Sequence, residues 1–279
     1  MEISIVISSY NTKDITLKCI DSIYKSGLKK GNFELIVIDD ASNDGSYESI
    51  LTLKKNSIFK KNLRVFQNKR NLGYVRTNNR GIRLARGKFV LLLNSDTQVK
   101  YRAIDKLIDF AKKTPDSGVV GARLLNKDGS VQASCYHFPT IKRALLEFWF
   151  GRKGFFEKYY PSGLIPIQVE ALVGAVFLIT PKALKEVGYL DEKFVSYYED
   201  LDYCRRVWKS GLKVYYLPES EVIHLHGESF KKLADYKNQW KKLIPGSIAF
   251  NGLFKHLLIN AIIYTGQKWQ KFMSGLKKI

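Results

Sequence analysis

Three acidic groups in this chain stand where carboxylates could do chemistry. Asp39-Asp40 closes the apolar run FELIVIDD, Asp96 closes FVLLLNSD, and Glu199-Asp200, with Asp202 two residues on, lies in YYEDLDYCRRVWKSG. Adjacent carboxylates can divide labour, one projecting into a cleft as a general base while the other faces the fold. A carboxylate behind a buried strand can hold the ribose or base of a nucleotide. One that shares phosphate oxygens with a divalent cation can bind a diphosphate. Each group also has a plainer reading. Carboxylates accept backbone N–H groups at turns and helix starts, and Asp202 with Arg206 has the spacing of an i,i+4 pair worth about 0.3–0.5 kcal/mol. At Asp39-Asp40, however, Ser42 and Asn43 can already cap the next helix, which leaves two acids surplus. His224 and His226, in VIHLHGESF, fall on one face of a strand and could ligate a metal, although no third ligand lies nearby in sequence. His137 and His256 have no partner in sequence and read as structural or surface residues.

The elements that must position these residues follow from the hydrophobic pattern. Strands are expected over 3–8, 33–38, 63–67 and 88–93, and helices over 14–26, 43–54, 74–86 and 101–113. Apolar strands alternating with amphipathic helices imply a mostly parallel sheet covered on both faces, with ligands beyond the carboxyl ends of its strands. The second half is less regular. A strand is expected over 131–138, an aromatic-rich stretch over 143–160 and a long apolar segment over 168–180, broken by Gly174-Ala175. Helices are expected from Pro181 and over 199–210, and strands over 213–217 and 221–225.

The totals bound the partners. Among 279 residues, 46 Lys and Arg against 26 Asp and Glu give a net charge of +20, which suits polyanions, anionic lipid or phosphorylated small molecules. Basic residues are not interleaved with aromatics in any known nucleic-acid motif, so no nucleic-acid partner is expected. Three separate cysteines without a C-x-x-C pair suit reduced thiols in a cytoplasmic setting. The start, MEISIVISSYN, reads as a strand rather than a signal peptide, and no run of about 18 uncharged apolar residues appears. Ser8-Ser9-Tyr10-Asn11 follows the first strand, so neither the glycine-rich dinucleotide fingerprint nor a P-loop is present there. From residue 230 onward ten lysines face one acid, Asp235, around an apolar stretch over 248–264. That composition suits a basic amphipathic helix on an anionic membrane, the alternative being a helical layer packed on the sheet.

In order, SIVISSYN, LIVIDDASNDGS, NKRNLGYVRTNNRGI, FVLLLNSDTQV, LVGAVFLI, YYEDLDYCRRVWKSG and VIHLHGES resemble the inverting family 2 glycosyltransferases of GT-A fold, and among them the rhamnosyltransferase-like branch. The likeness covers about residues 1–229. It implies an α/β fold with a nucleotide-sugar half over 1–124, an acceptor-binding and catalytic half over 125–229, and a basic helical extension over 230–279. By the same likeness Ser8, Tyr10, Asp39 and Asp40 would cradle the base and ribose, and Asn71, Gly73, Asn79 and Gly81 would shape the floor of that site. Asp96 takes the last position of the family's D-x-D motif, here Asn94-Ser95-Asp96, and with His224 would hold Mg²⁺ or Mn²⁺. Asp200 matches the catalytic base with Glu199 beside it, and Gly174-Ala175 the glycine loop near the acceptor. The implied reaction moves a sugar from a nucleoside-diphosphate donor, dTDP-rhamnose first and a UDP-hexose next, to a hydroxyl of a glycan or lipid-linked glycan. The implied location is the cytoplasmic face of the cell membrane.

Overall fold

A computed structural model of the protein describes residues 1–29, 31–195, 197–225 and 239–276. The first half alternates as expected: β1 (Ile3–Ser9), α1 (Lys13–Lys25), β2 (Phe33–Asp39), α2 (Ser46–Lys55), α3 (Ser57–Lys60), β3 (Leu63–Gln67), α4 (Tyr74–Leu84), β4 (Phe89–Leu93), β5 (Thr97–Val99), α5 (Ala103–Lys113) and β6 (Ser117–Leu125). The second half holds β7 (Cys135–Tyr136), α6 (Ile141–Phe148), β8 (Ile167–Gln168), β9 (Ala171–Leu172), β10 (Val176–Ile179), α7 (Pro181–Glu186), α8 (Glu199–Lys209) and β11 (Lys213–His224), then α9 (Gln239–Asn251) and α10 (Leu253–Leu276).

The main sheet runs β3-β2-β1-β4-β10-β6-β11-β5, with β8 added beside β11. Strands β3, β2, β1 and β4 pair in parallel, whereas β10 enters antiparallel between β4 and β6. Strand alternation sends Ile3, Ile5 and Ile7 to the side covered by Ile20, Ile23, Ile104 and Leu107 of α1 and α5. Val6, Ile36 and Ile38 face the other way, onto Val75 and Ile82 of α4, in a layer that also holds Cys204 and Val207 of α8. Helix α4 lies close because Gly81 has no side chain: a Cβ there would collide with the Val6 methyl groups. All three cysteines are free and buried.

Several expected boundaries shift for physical reasons. Helix α2 starts at Ser46 and not at 43, because Ser42 and Asn43 are engaged elsewhere. Asn11 N donates to Ser42 Oγ and Asn43 N donates to Asn11 Oδ1, while Asp44 Oδ1 takes Ser46 N at 3.0 Å. The strand expected over 131–138 shrinks to Cys135–Tyr136, paired with β9 in a separate two-stranded sheet. The two strands expected over 213–225 are one strand, β11, which keeps pairing with β6 across a register shift between Leu217 and Glu221. Asp202 is not a loose surface pair. Buried, it takes Arg206 Nε at 2.7 Å and Arg205 Nη2 at 3.1 Å, and Arg206 also donates to the Val187 and Tyr189 carbonyls.

The C-terminal helices lie on the second half. Phe250 of α9 is buried beneath the Arg205 guanidinium, 3.7 Å from its ring centroid, and its carbonyl accepts Arg205 Nη1 at 2.8 Å. Gly246 of α9 abuts the Tyr197 carbonyl and the Tyr198 ring. Helix α10 packs on α6, where Gly266 lets the Phe148 backbone approach, Trp149 stacks on Trp269, and Gln270 donates to the Glu147 carbonyl.

Candidate functional site

At the carboxyl end of β2 the two aspartates do different work. Asp40 is buried, its Oδ1 taking Asn68 Nδ2 and Leu72 N and its Oδ2 taking Gly73 N at 2.9 Å. It thereby ties down the loop before α4, whose Gly73 has φ +83°, a conformation suited to glycine. Asp39 is equally buried. Its Oδ2 takes Ser42 N and Gln67 Nε2, but its Oδ1 has no hydrogen-bond partner. A buried carboxylate oxygen left in this state is costly unless a ligand donates to it. Nearby, half-buried Ser8 accepts Asn78 Nδ2 at 3.1 Å, Tyr10 is half-buried at the end of β1, and exposed Asn71 turns back to accept Gly73 N. Asn79, expected to shape the floor of the nucleotide site, has its side-chain amide engaged within the protein. Its amide clamps the far segment, taking Leu190 N at 3.0 Å and donating to the Leu190 carbonyl and Glu192 Oε1. Gly81 is likewise a packing glycine against Val6.

Beyond β4, Asp96 is buried and its Oδ1 lies 3.4 Å from His224 Nε2 at the end of β11. Gln132 sets the imidazole. Its Nε2 donates to Asn126 Oδ1 and to the His224 carbonyl, so its Oε1, 2.7 Å from His224 Nδ1, must accept a proton there. With Nδ1 turned to Gln132, Nε2 is the ring atom that faces the Asp96 carboxylate, and the pair could hold a cation between them through the Nε2 lone pair and a carboxylate oxygen. Asn94 Oδ1, in the place of a first carboxylate, is buried with no hydrogen-bond partner. Among the described residues no group of three or more His, Cys, Asp and Glu side chains could hold a metal by itself. A site of one carboxylate and one imidazole fits a divalent ion that completes its shell with phosphate oxygens and water. His226 lies outside the described residues.

The third group sits at the start of α8. Asp200 Oδ2 takes Gly174 N at 3.1 Å and its Oδ1 takes Leu201 N at 2.8 Å, so two backbone donors aim the carboxylate. Tyr74, the first residue of α4, donates to the Gly174 carbonyl at 3.1 Å and lines a small cavity with Leu92, Glu199 and Asp200. Burial, and then the charges of Glu199, Asp200 and Asp96, drive the Tyr74 hydroxyl well above its usual range, which puts the acids of two sheet-edge clusters around one phenol. Burial and the neighbouring Asp200 push Glu199 up to about 8, and its Oε2 is buried with no hydrogen-bond partner. Burial also raises Asp200, opposed by the Leu201 and Gly174 N–H groups and the Lys158 ammonium. The chain enters this helix through two non-glycine residues in the left-handed region, Tyr197 at φ 66° and Tyr198 at φ 69°. Such residues cost on the order of 1–3 kcal/mol each and cluster at functional sites.

The structure therefore brings Asp96, His224, Glu199 and Asp200 together and places Asp39 at the carboxyl end of the same sheet. It adds Tyr74, Gln132, Asn78 and Lys158, which sequence reasoning missed. Tyr74 could have been found, because it directly follows the constrained Gly73. Gln132 and Lys158 carry no local signal, since their partners lie 92 and 42 positions away.

A family model described as Glycosyl transferase family 2 matches residues 4–177, more than half of the chain. The chain belongs to glycosyl transferase family 2. One family 2 relative, the N-acetylglucosaminyl-diphospho-decaprenol L-rhamnosyltransferase of Mycobacterium tuberculosis, is 32% identical over 142 residues, covering 49% of this chain and 46% of that protein. The poly(ribitol-phosphate) beta-glucosyltransferase of Bacillus spizizenii is 26% identical over 232 residues, covering 78% of this chain and 34% of that protein. The chain thus spans less than half the length of either relative. Among solved structures, a Pyrobaculum calidifontis mannosyltransferase in complex with GDP-Man and Mn²⁺ matches with a TM-score of 0.62 at 14% identity, over 91% of this chain and 62% of that one. S. aureus TarS 1–349 in complex with UDP-GlcNAc matches with a TM-score of 0.60 at 18% identity, over 94% and 70%. These neighbours share the fold, and the GT-A architecture implied by the motifs is the one observed. Its sheet is mixed because β10 and β5 run antiparallel to their neighbours.

Proposed function

We propose that the chain is an inverting glycosyltransferase that moves a sugar from a nucleoside-diphosphate donor to a hydroxyl of a glycan or lipid-linked glycan, with Asp200 as general base. The observation that carries this reading is the aim of Asp200. Its carboxylate is fixed by the Gly174 and Leu201 N–H groups beside the same phenol that Asp96 influences, so a base and a donor-phosphate site share one edge of the sheet. Asp200 takes the proton of the acceptor hydroxyl as that oxygen bonds to the anomeric carbon, and the bond to the nucleoside diphosphate breaks on the opposite face. Positioned general-base assistance of this kind contributes about 10²–10⁴ in rate. Asp96 and His224 would hold Mg²⁺ or Mn²⁺ against the diphosphate. A bound ion supplies electrostatic neutralisation of the departing charge. Asp39, with its partnerless Oδ1, would accept a donor hydrogen from the base or ribose.

The rhamnosyltransferase relative supports dTDP-rhamnose as the first donor to test, and the glucosyltransferase relative with the UDP-GlcNAc complex supports a UDP-hexose as the second. A thermal-shift series with dTDP-rhamnose, UDP-glucose and UDP-GlcNAc, each with Mn²⁺, Mg²⁺ or chelator, tests the donor site. A ligand that binds only the folded state raises its stability by RT ln(1 + [L]/Kd). A rise that chelator abolishes and Asp96→Ala weakens is expected. If no donor shifts a folded protein, or if the transferred sugar retains its anomeric configuration, the reading fails.

A further inference from the structure

Helix α10 has two apolar faces, and α6 covers one of them. The inner side, with Ile259 and Gly266, is buried. On the outer side Phe254 is 80% exposed, Leu257 56%, Tyr264 60% and Phe272 60%. With Ala261 and Lys268 these residues recur in steps of three and four, so they form one stripe. At 1.5 Å per residue the stripe is about 27 Å long. At the turn after α6, beside the stripe's helix, the Phe150 ring is 73% exposed, and Trp149, stacked on Trp269, is 39% exposed. Single exposed apolar residues are ordinary, but several aligned along one helix face mark a contact surface.

The charges around the patch say what would cover it. From 239 to 276 there are five lysines and no acid, and Arg152 and Lys153 lie just past Phe150, after Gly151. Lys268 lays its ammonium 4.4 Å from the Tyr264 ring centroid, a position from which it can reach past the apolar stripe. A second copy of this chain, itself at +20, would bring like charge to like charge. An anionic bilayer satisfies both components at once, taking the rings at its acyl boundary and the lysines at its headgroups. We propose that the outer face of α10, with the turn after α6, is a docking surface for an anionic phospholipid bilayer on which the protein lies. Among the described residues no single helix is long and apolar enough to cross a membrane, and the α9–α10 pair is bent by 120° at its break. The surface lies flat along the bilayer and holds the second half of the chain against it through Trp149, Trp269 and Gly266.

This inference does not rest on sugar transfer, so its test uses no donor. The full chain is sedimented with vesicles of phosphatidylcholine alone or mixed with phosphatidylglycerol, at low and high salt, and its mass in solution is measured without lipid. Binding to the mixed vesicles is expected, with loss at high salt as the charges are screened. Phe254→Ser with Phe272→Ser, and separately Lys268→Glu with Lys271→Glu, should each weaken binding by at least about tenfold. Melting temperature should stay within a few degrees, because these side chains face solvent. The proposal is overturned if the protein ignores anionic vesicles or if both variants bind as the parent does. It is also overturned if the parent is a dimer that the Phe variant dissolves, since the patch would then join two copies. Release by detergent alone, and not by salt or carbonate, would make the helices a span and overturn it as well.

Discussion

Two pairs of adjacent acids, Asp39-Asp40 after β2 and Glu199-Asp200 at the start of α8, look alike in sequence and are opposite in their surroundings. The first pair is largely absorbed by the protein: Asp40 accepts three N–H donors and Asp39 keeps one oxygen for something else. The second pair is under tension. Both carboxyls are pushed up by burial, Glu199 also by the Asp200 charge, and Glu199 retains a buried oxygen without a partner. Asp40 and Asp200 each take two backbone N–H groups, but Asp40 also takes the Asn68 amide and fixes a loop. Asp200 instead lies buried beside a second carboxyl, where burial raises the cost of its charge, and so can take a proton.

The contrast is most exposed to failure at Asp200. Asp200→Asn should keep the fold and donor binding while transfer falls by about 10²–10⁴, measured as turnover against donor Kd. Near-parental turnover would erase the distinction between the pairs. At the other pair, Asp40→Ala should cost about 1–3 kcal/mol in urea unfolding, because the Leu72 and Gly73 N–H groups lose their acceptor. Asp39→Asn should instead spare stability and raise the donor Kd about tenfold or more, which splits the first pair into a clamp and a contact.

The pH response sharpens the second pair. Glu199 moves from an ordinary 4.5 to about 8, so the folded protein keeps a proton that the unfolded chain has given up between those values. This contribution to stability is complete below about 4.5, is lost as pH rises through about 8, and is constant beyond. Glu199→Gln cannot ionise, so its melting temperature should exceed the parent's by little at pH 4.5 and by most at pH 8 and above. A gain that shrinks with rising pH would place the raised proton elsewhere. The smallest effect is expected at Tyr74→Phe, which deletes one hydrogen bond to Gly174 and should cost about 0.5–1.5 kcal/mol with a modest loss of turnover.

Much of the site was legible because its residues sit at strand and helix ends that local patterning marks. Asp39, Asp96 and Glu199-Asp200 each bound an apolar run or open a helix, and the alternation through α4 predicts a parallel half-sheet with ligands at its carboxyl edge. What stayed hidden is long-range. Asn79 matches a site motif, yet its amide is consumed by Leu190, 111 positions on, and nothing near Asn79 reports that partner. The apolar segment over 168–180 reads as broken only at Gly174-Ala175, but it divides among β8, β9 and β10. Only the whole sheet decides that β10 slots between β4 and β6. Gln132 sets the orientation of His224 from a loop with no regular pattern. Helix α2 misled for the converse reason, since Ser42 and Asn43 are good caps that the Asn11 turn had already engaged.

Gly246 gives the tail a role in how this protein can be divided. Its missing Cβ lets α9 rest on the Tyr197 carbonyl and the Tyr198 ring, the left-handed turn that delivers Glu199-Asp200. A fragment cut before α9 to improve handling would therefore lose a wall of the turn that aims the base. A chimera that grafts residues 1–225 onto a foreign anchor would inherit the same gap. A graft that keeps this wall would have to run through α9, where Phe250 packs under Arg205.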